Sequence, residues 1–507
     1  MNCILITGRL FFTAILFMSS DMVFSQAPEI IWQHSYGGSS WDQANAVRQT
    51  PDGGYAVAGY TRSTDDDVLF NHGIYDYWLL RLDTSGNVLW QKSYGGSGYD
   101  YCYDMQVTPD GGFVLAGIAK STDGDITETH GDDYWIVKTD VMGNIEWQKC
   151  YGGSSSDYAH RIALTDDGGY IIAGESSSND GDVSGNHGGS DYWVAKIDAA
   201  GELQWQACFG SEETEDAKSI IQVSDGGYIV AGYTNSEGGG DVTWGYGSSD
   251  YWIIKLDDTG NLLWEKSFGG SNTDIAHDLA ETPDSGFFIT AGETLSYDYD
   301  ITGFHGGLSD CWVIKLDSSG NLLWQKSIGG SDAEGFNSIS ITSDSCALLT
   351  GYSQSSDFDA TENNGGADLW AVKVDTVGNI LWQRSIGGSE LDRGYSVIQS
   401  DDGNFVVAGY SRSSDYDVTE NNGDFDYWIV KLGFCTTHYY ADADGDGFGN
   451  ILFDSTACSL PAGYVTDSTD CNDADHLIYP TAEDICNTID DNCNGAVDED
   501  AALTVWY

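Results

Sequence analysis

Apolar and polar residues alternate with period two through short runs, and the runs come in groups of four. Residues 159–210 show one group: AHRIALT, YIIAGES, DYWVAKID and ELQWQACFG. Such alternation, rich in β-branched and aromatic residues, predicts strands with one face buried. Asp-Gly-Gly joins the first pair of runs, and glycine supplies the positive φ of a tight hairpin. A recurring Asp-x-x-Gly-Asn joins the third run to the fourth. Each group therefore predicts four antiparallel strands.

The group repeats. A Trp in the fourth run falls at Trp32, Trp90, Trp147, Trp205, Trp264, Trp324 and Trp382, in steps of 57 to 60 residues. A second Trp, in the third run, falls at Trp78, Trp135, Trp193, Trp252, Trp312, Trp370 and Trp428. The first copy starts at its fourth strand, IIWQHSYGG, and the last stops at its third, DYWIVKL. Pairing of Ile30–Ser35 with Tyr427–Leu432 closes a ring, which an open solenoid does not need. The expectation is an all-β fold: a seven-bladed β-propeller of four-stranded blades over residues 28–434, closed by its two ends, with both Trp series packed between blades.

The repeat resembles the tandem repeats of secreted bacterial propeller proteins associated with type IX secretion, over about four-fifths of the chain. The resemblance implies architecture and carries no activity with it.

Antiparallel strands place both tight turns of each blade on one face. The other face carries the Gly-Gly-Ser connections between blades and a longer loop inside each blade. That loop repeats Asp-x-Asp, as at Asp65/Asp67, and its second acid recurs as Asp67, Asp125, Asp182, Asp241, Asp300, Asp359 and Asp417. His72, His130, His187 and His305 follow in four blades, with Asn in the last two and Tyr246 in the fourth. These acids make a candidate ligand or cation face, joined by Trp244, which most blades lack. The structural alternative is that each acid holds its own loop as an Asx-turn. Because His alternates with Asn, hydrogen bonding fits that position better than metal ligation.

Composition narrows the function. Asp and Glu number 80 against 20 Lys and Arg, a formal charge of −60. Nucleic acid is excluded as a partner, since phosphate neutralisation needs clustered bases, and anionic lipid is disfavoured. Aromatics at 13 % argue for a large core rather than disorder. No zinc signature, nucleophile elbow or phosphate loop occurs, and the asymmetric aromatics are few: Trp41, Trp244 and Tyr246. Residues 1–25 read as a secretory signal peptide: Arg9, the apolar stretch Leu10 to Met18, and small Val23 and Ser25 before the cut. That stretch is shorter than the ~20 residues of a membrane span. No transmembrane segment is expected after cleavage, and the mature chain meets an oxidising exterior where disulfides persist.

From Cys435 the text changes. Residues 435–507 hold fifteen Asp and Glu and no Lys or Arg. Asp442, Asp444 and Asp446 precede Gly447, and Asp490, Asn492 and Asn494 precede Gly495, the spacing of the first half of a calcium loop. Asp470, Asn472, Asp473 and Asp475 form a third cluster, and Asp498 follows the second loop. No bidentate Glu stands at the twelfth position of either loop. Cys458, Cys471, Cys486 and Cys493 allow three pairings. Disulfides and bound ions are how so small a module gains stability. The segments YYADADGDGFG, PAGYV, DCNDAD and CNTIDDNCNGAVDED resemble the metal-binding motif repeat named after the bacterial surface copper protein MopE. The name implies copper. The hard oxygen donors argue for Ca²⁺, since only His438 and His476 offer imidazole.

The expected organisation is thus a signal peptide (1–25), the propeller (28–434), an acidic metal-binding module stabilised by disulfides and metal (435–500), and the start of a truncated second module (501–507). The expected role is binding or adhesion outside the cell, toward glycan or a surface protein. The rivals are an extracellular enzyme, quinoprotein-like or glycan-active, and a purely structural surface protein.

Overall fold

The computed structural model describes residues 26–498 apart from 285 and 459; the expected signal peptide (1–25) and second module (501–507) lie outside the described residues. Among the described residues, seven four-stranded antiparallel sheets follow one another in a ring. Six use four consecutive strands. In the seventh, Glu29–Tyr36 lies beside Asp426–Gly433, with Glu29 opposite Gly433 and Tyr36 opposite Tyr427. The first strands of neighbouring blades pack on one another around the whole ring, so they surround its axis.

The sequence motifs supply the joints. In the third blade the turn acid Asp167 accepts hydrogen bonds from Thr165 Oγ1 at 2.5 Å and Gly169 N at 3.0 Å. Lys196, from the third strand of the same blade, reaches it at 2.8 Å. The same Lys-to-turn pair recurs as Lys138–Asp110, Lys255–Asp225, Lys315–Asp284, Lys373–Asp344 and Lys431–Asp402, with Arg81–Asp52 in the first blade. Asp198 organises the second turn by accepting the Ala200 and Glu202 N–H groups at 2.9 Å.

Both Trp series sit between blades. Those of the third strands, such as Trp135 and Trp193, are fully buried. Those of the fourth strands lie on the turn glycine of the next blade, except Trp382, which packs on Phe405. A Cβ on Gly201, which has φ +78°, would meet the Trp147 ring at 3.0 Å, so sterics and dihedral both demand glycine there. A Tyr hydroxyl bridges most joints to a Trp carbonyl of the next blade: Tyr77 to Trp135 (3.0 Å), Tyr134 to Trp193 (2.9 Å), Tyr192 to Trp252 (2.7 Å) and Tyr251 to Trp312 (2.9 Å). Tyr427 makes the same bond to Trp78 at 3.0 Å across the closing joint. Cys311 and Leu369 take the Tyr place in the fifth and sixth blades.

After the ring, Thr437–Ala441 pairs with Asp454–Ala457 and Tyr464–Val465 in a small sheet, and turns follow. The cysteine pairing corrects the expectation. Cys435 bonds Cys458, Cys471 bonds Cys493, and Cys486 is exposed and free. The reason is local: Thr437 stands opposite Ala457, which brings the flanking cysteines to a Cα separation of 4.8 Å. The five ring cysteines, Cys102, Cys150, Cys208, Cys311 and Cys346, are unpaired. Among the described residues no helix is long and apolar enough to cross a membrane.

Candidate metal centre and the loop-bearing face

The tail builds its site from two segments. Gly447, with φ +95°, lets residues 442–447 curl so that backbone donors point inward. Asp442 accepts from Gly445 N at 2.7 Å, Asp446 N at 3.1 Å and Gly447 N at 3.1 Å. Residues 470–473 close over this loop. Asp470 N donates to Gly449 O at 3.1 Å, and Ala443 N donates to Asp473 Oδ1 at 2.6 Å. Ligand atoms of Asp442, Asp444 and Asp473 then lie within 4.8 Å of one another, as do those of Asp444, Asp446 and Asp470. The two groups share Asp444, so five carboxylates adjoin without a Lys or Arg in the tail.

Their hydrogen bonding is incomplete. Asp444 Oδ2, Asp446 Oδ2 and Asp470 Oδ2 are buried and have no donor, and Asp470 is only 6 % exposed. Burial, then the neighbouring carboxylates, pushes the Asp446 and Asp470 pKa values up. Buried acceptors without donors are costly. A hard cation removes that cost, and these five side chains are the ones that would hold it. The sulfurs of Cys471 and Cys493 lie beside Asp470, but they form a disulfide and offer no thiolate.

The second loop copies the backbone of the first. Asn494 N and Gly495 N donate to Asp490 at 3.1 and 2.8 Å, and Asn494 N also reaches Asn492 Oδ1 at 3.2 Å. Among the described residues no second acidic segment closes over it. Asp498 instead accepts from Asn487 N at 2.9 Å and Thr488 N at 3.0 Å. Asp475 caps a turn through Leu477 N at 3.3 Å and belongs to neither group, and the Asn472 backbone N–H donates to Asp470 Oδ1 at 2.8 Å.

On the propeller, the Asp-x-Asp acids are spread around the rim, one pair to a blade except in the fourth, which keeps only Asp241. The first acid takes a serine N–H from the inter-blade connection, as Asp180 does from Ser154 at 2.7 Å. The second accepts a long bond from the first glycine: Asp67 from Gly37, Asp125 from Gly95, Asp182 from Gly152, Asp241 from Gly210, Asp300 from Gly269, Asp359 from Gly329 and Asp417 from Gly387, at 3.2–3.4 Å. The histidines serve a buried acid at the start of the third strand. His72, His187 and His305 bond Asp76, Asp191 and Asp310 at 2.7, 2.7 and 2.9 Å. Two of them also approach the next blade, His187 toward Asp241 at 3.9 Å and His305 toward Asp359 at 3.7 Å. The acids of the blades without histidine, Asp250, Asp368 and Asp426, have pKa values raised to about 7 by burial and neighbouring acids.

Trp244 is 53 % exposed and meets Tyr246 edge-on, with Tyr246 against Tyr299. Trp41 stacks on Phe425 at 4.5 Å across the closing joint, so its asymmetry belongs to ring closure.

No curated protein matches the chain. Among solved structures it is similar to the β-propeller domain of the Trilobed protease from Pyrococcus furiosus, at 10 % identity and a TM-score of 0.40, over 78 % of this chain and 93 % of that one. It is also similar to Kuenenia stuttgartiensis hydrazine synthase, at 11 % identity and 0.43, over 77 % and 96 %. A Bacteroides caccae protein of unknown function matches at 10 % identity and 0.38, over 73 % and 99 %. Identities this low concern the fold and no chemistry. Residues 470–499, where Asp470 and Asp473 complete the cluster, match the family model Cu-binding_MopE, described as "Putative metal-binding motif".

Proposed function

We propose that the protein acts outside the cell or on its surface as a non-enzymatic binding protein, with a propeller head and a calcium-holding tail. One observation carries the metal assignment: carboxylates from two segments converge with three buried oxygens that no donor serves. All the converging donors are hard oxygens, which favours Ca²⁺ over the copper of the family name. His438, an imidazole that copper would prefer, is taken by Asp454 at 2.8 Å. The two disulfides support an oxidising compartment.

Calorimetric titration of the purified chain with CaCl₂ and with CuSO₄ tests the assignment. Calcium is expected to bind at the 442–473 cluster, and Asp444→Asn with Asp470→Asn to abolish that binding. Copper binding with calcium indifference overturns it. Retention of a rim of glycan or surface-protein contacts by the head is tested by binding of the whole chain to immobilised neutral oligosaccharides.

A further inference from the structure

The seven first strands align as DQANAVR, DYCYDMQ, DYAHRIA, EDAKSII, DIAHDLA, EGFNSIS and DRGYSVI. The acid that opens each strand repeats, and so does the apolar sixth place in nearly all. The fourth place does not. It reads Asn45, Tyr103, His160 and Lys218, then His277, Asn337 and Tyr395. In every blade this residue sits where the pairing with the second strand shifts register. A bulge leaves its residue unpaired and re-aims the side chain. All seven line one cavity of about 270 Å³, together with Gln43 and Arg161. A ring that needed this position only for packing could use one residue seven times, as it does for its turns and joints.

The chemistry of the lining is specific. Its two cations are paired with acids behind the wall, Arg161 with Asp278 at 2.9 Å and Lys218 with Asp216. His160 Nε2 lies 3.1 Å from Asp216 and 3.3 Å from Lys218 Nζ. Burial, with Lys218 nearby, lowers the His277 pKa to about 4, so at neutral pH that imidazole offers one donor and one acceptor. The amides are anchored to the next blade, Asn45 to Cys102 O at 2.7 Å and Asn337 to Gly394 O at 2.8 Å. Tyr103 lies against His160 with ring centres 5.4 Å apart. The cavity thus presents fixed donors and acceptors with aromatic rings; both lining cations are already paired and no carboxylate lines it, Glu175 lying behind His160 beside Asp216.

We infer that this axial cavity is a binding site for one neutral sugar or polyol unit. Hydroxyl groups donate and accept, which suits paired acids and bases, whereas an ionic ligand would find no counter-charge left over. Pockets for drug-sized ligands start at about 300 Å³, so this one takes a single small ring. The inference rests on the reading of the propeller as a binding head and names its pocket and ligand class.

The test is saturation-transfer NMR and calorimetry on the whole chain. The probes are D-glucose, D-galactose, D-mannose and N-acetyl-D-glucosamine, with D-glucuronate and D-glucosamine as charged controls. At least one neutral sugar is expected to bind in preference to both controls. Asn337→Ala and His277→Ala should each weaken it tenfold or more with the circular-dichroism spectrum unchanged, while rim variant Trp244→Ala leaves it intact. Preference for a charged probe, or binding that survives both axial variants, overturns the site. If the axial variants bind as wild type and Trp244→Ala does not, the head still binds sugar and only the axial site fails. If no probe binds and immobilised oligosaccharides do not bind either, the binding-head reading falls with it.

Discussion

Asp167 in the ring and Asp470 in the tail are both aspartates held close to other polar groups. Asp167 has a Thr hydroxyl, a Gly N–H and a Lys ammonium for its oxygens, all from its own blade. Asp470 has one N–H for Oδ1, none for Oδ2, and the carboxylates of Asp444, Asp446 and Asp473 near it. The ring satisfies its turn acids with protein donors, although the buried acids that open its third strands, such as Asp76, Asp191 and Asp426, each keep one oxygen without a donor, and its stability comes from large buried aromatics such as Trp193. The tail has little core and leaves its acids open. A donor set completed inside the blade marks an acid as structural; incomplete sets that converge from two segments, as in the tail, mark a place for a cation.

Chelation should break this contrast most sharply if it is wrong. With EDTA in excess, the tail is expected to become sensitive to limited proteolysis, while the calorimetric transition of the ring stays in place. A ring transition that falls together with the tail would move the rim acids into the cation-binding class. Trp193→Ala should act the other way, costing the ring about 3–5 kcal/mol in denaturant unfolding and leaving calcium affinity unchanged. Cys471→Ser, which opens a disulfide spanning 22 residues, should cost the tail about 3 kcal/mol, read as a higher calcium concentration for half-protection. Cys486→Ser, at an exposed free thiol, should change neither measurement.

Proton linkage separates the regions further. Asp250, Asp368 and Asp426 titrate near 7 in the folded ring, against 3.8 when free. The folded state therefore holds protons that the unfolded chain releases. Their contribution is complete below about 4 and is lost as pH rises through about 7. Asp110 and Asp167 oppose this at the acid end. Thr and Lys hydrogen bonds outweigh burial and hold them at about 2, so their contribution is lost as pH falls toward that value. Melting temperatures of the ring should peak between these limits and decline from pH 5 to pH 8, and Asp426→Asn should flatten the decline. The smallest effect is expected from Tyr77→Phe, about 1 kcal/mol for one inter-blade bond.

Much of the ring was legible because local chemistry repeats: the turn glycines, the Lys that reaches the turn acid, and the two Trp columns each recur at a fixed offset. Both tail loops were legible from spacing for the same reason. Three features were not. The Cys435–Cys458 bond depends on a short hairpin whose strands carry no clear alternation. That Asp470 and Asp473 complete the first loop, while Asp475 does not, is set by how two segments pack. The axial residues were passed over because they look like drift between copies. Their signal was present as a polar column that varies between copies, set between an opening acid and an apolar sixth place that recur.

The closing joint has a mechanical consequence. The strand leading into the tail, Asp426–Gly433, is not at the edge of its sheet: Phe405–Ser411 flanks it on one side and Glu29–Tyr36 on the other. A pull on the tail against a load held by the ring must drag that strand out between two neighbours, breaking many bonds together in shear. A pull between residue 29 and residue 433, which face each other at one end of the pair, would instead peel the same joint open one bond at a time. The ring is therefore strong as a tethered head and weak as a link in a chain, and a single strand borrowed from the start of the sequence sets the difference.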